Sequence, residues 1–102
     1  MSADMPRGSG RHAPAREAML AVHQFPGEYV IKAFGPGHPD FHTAVLAAAH
    51  AELRPEQVQT QARSTATGAR QCVTLTLHAE RVEEVEAVYE RLYLLESLFL
   101  IL

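Results

Sequence analysis

The stretch QCVTLTLHAERVEEVEAVYERL, residues 71–92, changes its hydrophobic period midway, and that change limits what the chain can fold into. Its first part alternates, with Val73, Leu75 and Leu77 set against Cys72, Thr74, Thr76 and His78. A period of two places the first set on one face of a strand. From Val82 onward the apolar residues recur three and four apart, at Val82, Val85, Tyr89 and Leu92. Glu83, Glu84, Glu86, Glu90 and Arg91 occupy the opposite side, so this is a helix with one apolar stripe and one solvated acidic face. Such a stripe is stable only when laid on another element, and the strand just before it supplies one.

The same pairing occurs upstream. EYVIKAF sets Tyr29, Ile31 and Ala33 against Val30, Lys32 and Phe34, and GPGHP ends the strand. Asp40 is expected to cap the helix FHTAVLAAAHAEL, whose Phe41, Val45, Ala48 and Ala49 share a face, and Pro55 closes it. QVQTQARS then places Val58, Thr60 and Ala62 opposite Gln57, Gln59, Gln61 and Arg63. TATGAR is a hairpin connection with Gly68 free to take a positive φ. The final strand is SLFLIL; its more aliphatic phase sends Leu98, Leu100 and Leu102 inward and Ser97, Phe99 and Ile101 outward. The order β-α-β-β-α-β predicts an α+β, ferredoxin-like sandwich: a four-stranded antiparallel sheet with two helices on one face.

With 102 residues there is room for one modest core. The net charge of −3 argues against a nucleic-acid binder, which needs clustered positive charge. An RNA-recognition reading also fails on the sheet, where Thr74, Thr76 and His78 stand in place of stacking aromatics. The single cysteine, Cys72, rules out an intramolecular disulfide. No apolar run approaches the ~18 residues of a membrane span, and the N-terminus lacks the apolar stretch of a secretory signal. A cytoplasmic protein with no membrane association is expected. Residues 1–24 read as a flexible tail with room for a short helix in REAMLAVHQF, and residues 25–102 as the domain. Arg7, Arg11, His12 and Arg16 are read as solvated tail charge.

FPGEYVIKAFG, STATGARQCVTLTLHA and VEEVEAVYERL occur in the order and spacing of the bacterial YbeD-like family of uncharacterised proteins, which the chain resembles from about residue 25 to Leu102. The resemblance implies a ferredoxin-like fold similar to ACT regulatory domains, which bind small ligands and pair through their sheets or helices. It implies no catalytic residue and no cofactor. The tail before Glu17 is longer than the family's usual one.

No stretch carries a catalytic constellation, and a non-enzymatic regulatory or adaptor domain is expected. His38 and His42 are four apart around Asp40, but no third ligand lies near, and no metal site is assigned. The similarity to ACT domains makes the loop bearing Gly35, Gly37, His38 and Asp40 the candidate small-metabolite site, as N–H groups at a helix start favour a carboxylate. The plainer reading of its glycines is a tight turn. Cys72 has no neighbouring base, and the glutamates of 83–86 suit a solvated face.

The helices cover one side of the sheet, which leaves the other to solvent or a partner. There Val30, Phe34, Phe99 and Ile101 are expected to cluster, at the size of the largest apolar patches of monomers, ~300–400 Å². The cover is either the chain's own Met19, Leu20 and Val22 folded back, or a protein partner. A second copy, giving a homodimer, is the favoured form of that partner, because the FLIL strand lies at an edge.

Overall fold

Two strand–helix units, each marked by its change of period, lie against one sheet in the computed structural model, which describes residues 13–102. In chain order the elements are α1 (Arg16–Val22), β1 (Gly27–Pro36), α2 (Pro39–His50), a 3-10 turn (Pro55–Gln57), β2 (Val58–Ser64), β3 (Arg70–Ala79), α3 (Val82–Tyr93) and β4 (Leu100–Ile101). The sheet order is β2-β3-β1-β4 and every neighbouring pair is antiparallel, which is the ferredoxin-like arrangement.

Register aligns the inward residues into rows. Val58, Leu77 and Tyr29 form one, Thr60, Leu75 and Ile31 the next, and Ala62, Val73 and Ala33 the third. Ile31, Ala33, Val73, Leu75 and Leu77 are fully buried beneath Phe41, Val45 and Ala49 of α2 and Val85, Val88 and Leu92 of α3. Each large aliphatic side chain so placed contributes roughly 1.5–3 kcal/mol. The Tyr29 and Tyr89 hydroxyls, 3.1 Å apart, share a hydrogen bond inside this layer.

Three expectations are corrected. First, His38 caps α2 in place of Asp40: its Nδ1 accepts from the Asp40 N–H at 3.1 Å. Pro39, in the first helical turn, keeps the residue before it extended, which makes His38 the capping residue and moves Asp40 inside.

Second, the segment around Met19 does not lie over the open side of the sheet. It forms α1, which packs against α3, with Met19 1% exposed in the core. Arg16 reaches Glu86 at 2.6 Å and Glu83 at 3.7 Å and ties the two helices together. Leu20 and Val22 stay in solvent. Of the flexible tail expected for residues 1–24, the part before Ala13, with Arg7, Arg11 and His12, lies outside the described residues.

Third, the phase of the last strand changes within SLFLIL. Leu98 and Ile101 are both buried, although they are three apart, while Phe99, Leu100 and Leu102 are exposed. Ile101 faces Ala33 and Leu100 faces Phe34. The Phe99 N–H donates to the Phe34 carbonyl at 2.8 Å, so two successive residues oppose Phe34, as in a β-bulge. Beyond it, Lys32 and Leu102 exchange both backbone hydrogen bonds. The bulge puts Ile101 in the core and releases Leu100 and Leu102 to the other side.

Candidate docking surface

β1 builds the middle of the open face, because residues between its inward Tyr29, Ile31 and Ala33 must point away from the helices. These are Val30, Lys32 and Phe34. Cross-strand pairing extends each into a row. Phe34 lies between Cys72 and Leu100, and Arg63 follows Cys72 on β2; Lys32 is next to Thr74 and then Gln61; Val30 is next to Thr76 and then Gln59.

One half of the face is therefore apolar. Val30 is 46% exposed, Phe99 53% and Leu102 66%, with Leu100 similar and Phe34 half-buried. Together they bare roughly 350 Å² of apolar side chain, comparable with the largest patch on a typical monomer. Of the four residues expected to form this patch, Val30, Phe34 and Phe99 are in it, and Ile101, only 7% exposed, is not. Leu100 takes its place. No described segment of the chain covers the patch: α1 is on the helix layer.

The other half is polar and cationic. Lys32, Gln61, Ala62, Arg63, Cys72 and Thr74 line a shallow hollow across β1, β3 and β2. At the end of β3, Arg70 has the same parity as Cys72 and Thr74, and its guanidinium carbon stands 5.8 Å from the centre of the Phe99 ring, within cation–π range. At the opposite end, Glu28 and His78 approach to 3.7 Å. The sequence reading missed Leu100 because parity alone cannot place a bulge. It missed Arg70 because the contact with Phe99 joins residues 29 apart in sequence that meet only when β3 and β4 flank the same end of β1; that Lys32 is the chain's single lysine was the available signal for this half.

The loop after β1 is occupied by its own structure. A Cβ on Gly35 would come within 2.4 Å of the Phe41 ring, and one on Gly37 within 1.9 Å of the Gly68 carbonyl oxygen. Both glycines are thus set by close approach. The Gly37 N–H donates to Ala69 O at 3.0 Å, the His38 N–H to Pro36 O at 2.8 Å and the Phe41 N–H to His38 O at 3.0 Å. Gln71 Nε2 donates to the Pro36 and His38 carbonyls at 3.0 and 2.7 Å. His38 and Asp40 are exposed and face each other at 3.5 Å, whereas His42 turns to Thr60, Nε2 to Oγ 3.2 Å. Among the described residues no three His, Cys, Asp or Glu side chains gather as a metal ligand set, and no helix is long and apolar enough to cross a membrane.

Among known proteins, residues 21–102 match the model of a family described as a protein of unknown function (DUF493). No curated protein matches the chain.

Proposed function

The chain belongs to that family, the YbeD-like proteins of the sequence resemblance, and we propose that it is a non-catalytic docking domain, regulatory or adaptor in role, that binds another protein through its open sheet face. One observation carries the reading: Val30, Phe34, Phe99, Leu100 and Leu102 form an apolar patch that no described part of the chain covers. Burying about 350 Å² of apolar surface is worth roughly 9 kcal/mol before association costs, enough to contribute to a specific contact. A small-ligand role for the loop bearing Gly35, Gly37, His38 and Asp40 has less behind it, because the backbone N–H groups of Gly37, His38, Asp40 and Phe41 already have acceptors within the fold.

The test is quantitative mass spectrometry of proteins that co-purify with the tagged chain and with Phe99→Asp from the native host. Phe99 is half in solvent, so the variant keeps its fold and melting midpoint and loses the specific co-purifying set. An identical set with both proteins would remove the reading.

A further inference from the structure

We propose that the occupant of the open face is an acidic segment of another protein, bearing leucine or aromatic side chains beside its Asp and Glu residues. This rests on the docking reading and adds the partner's chemistry. The ground is how the chain distributes its charge. On the helix layer and its loops Arg16, Arg54 and Arg91 are ion-paired with glutamates, and of the described arginines there Arg81, exposed at the start of α3, makes no ion pair. Lys32, Arg63 and Arg70 share the open face and make no ion pair among the described residues. Among the described residues the side-chain carboxylate of that face is Glu28, at its far end beside His78. A chain of net charge −3 thus turns its acids toward α3 and the loops and leaves three cations around an apolar patch. Cations so placed steer an acidic partner in and reject a basic one, while the patch supplies the burial.

The same charges decide against other occupants. A second copy docked face to face by a two-fold axis would bring Lys32, Arg63 and Arg70 of both copies into one interface, with Glu28 of each as the side-chain carboxylate of the described residues there to offset them. A nucleic acid strand stacks on aromatics of both middle strands, of which β1 offers Phe34 while β3 presents Cys72, Thr74 and Thr76. It would also meet nothing useful in Leu100 and Leu102. A carboxylate, by contrast, fits the hollow between Lys32 and Arg63 with a leucine or phenylalanine alongside on Phe34, Phe99 and Leu100.

The experiment is panning of a random twelve-residue peptide library on the full chain, followed by fluorescence anisotropy with the enriched peptides. Enrichment of Asp and Glu together with Leu, Phe or Trp is expected. Lys32→Gln and Arg63→Gln each weaken these peptides roughly three- to fivefold, as for solvent-exposed ion pairs, and binding falls as salt rises. Phe99→Asp abolishes it. Neutral or basic peptides that still depend on Phe99 would overturn the acidic partner and leave the docking face standing. Peptides indifferent to Phe99→Asp, or none at all, would remove both. A thymidine dodecamer that displaces the peptides, or a wild-type dimer in sedimentation equilibrium that Phe99→Asp dissociates, would equally overturn the acidic segment as occupant.

Discussion

Replacing Ile101 and Leu100 in turn by alanine tests the bulge that defines the open face. Ile101 is 7% exposed and opposite Ala33 in the core. Its truncation removes buried methyl groups and leaves a void, which for such residues costs 2–5 kcal/mol; at the end of a two-residue edge strand, where neighbours relax, about 2–3 kcal/mol is expected. Leu100 is 41% exposed and loses only part of its transfer free energy, about 1 kcal/mol or less. For a domain of this size each kcal/mol moves the melting midpoint by roughly 4–8 °C, so Ile101→Ala should melt about 8–24 °C lower and Leu100→Ala within about 8 °C of wild type. Urea denaturation followed by circular dichroism gives the free energies directly. If Leu100→Ala proves the costlier change, strict alternation through SLFLIL is correct, the bulge is absent, and the docking face has been drawn with the wrong residues.

Three further outcomes follow from named contacts. Met19→Ala costs about 2–4 kcal/mol in urea denaturation, because Met19 is the side chain that α1 buries in the core, while exposed Leu20→Ala costs under ~0.5 kcal/mol; equal effects would detach α1 from the core. Gly37→Ala, whose Cβ meets the Gly68 carbonyl, lowers stability by roughly 1–3 kcal/mol; an unchanged midpoint would free that glycine for a ligand role. Burial, then the Tyr29 hydrogen bond, pushes the Tyr89 phenol well above its ordinary value. Below pH ~10 it is neutral in folded and unfolded chains alike. Above that the unfolded chain releases a proton that the folded one keeps, so stability falls by about 1.4 kcal/mol per pH unit. Melting curves from pH 8 to 11.5 should show that decline shallower in Tyr89→Phe, and parallel curves would refute the cause.

The core was legible wherever a local period decides burial. The alternation over Val73, Leu75 and Leu77 and the stripe Val82, Val85, Tyr89 and Leu92 are obeyed because sheet and helix layers each bury one face. The strand order follows from the sequence of elements. What escaped depends on neighbours distant in the chain. Met19 is buried because α3 lies beside it, and nothing in REAMLAVHQF names α3. The hydrogen bond of Phe99 to Phe34 shifts the phase of the last strand, and parity has no term for an inserted residue. The glycines of the 35–37 loop read in sequence as a tight turn; that Phe41 and Gly68 press on them appears only on folding. The candidate surface was therefore partly visible: Val30, Lys32, Phe34, Arg63 and Phe99 by alternation, Leu100, Leu102 and Arg70 only through register and the bulge.

Photo-crosslinking in the native host addresses the docking face most directly. A benzoylphenylalanine is placed at Phe99 and, as a control of equal or greater exposure on the helix layer, at Leu94, which is 77% exposed. A protein-binding open face gives defined heterologous adducts at position 99, lost when Lys32 and Arg63 are changed to glutamate, and none at position 94. No adduct at 99, or the same adducts from both positions, would contradict it.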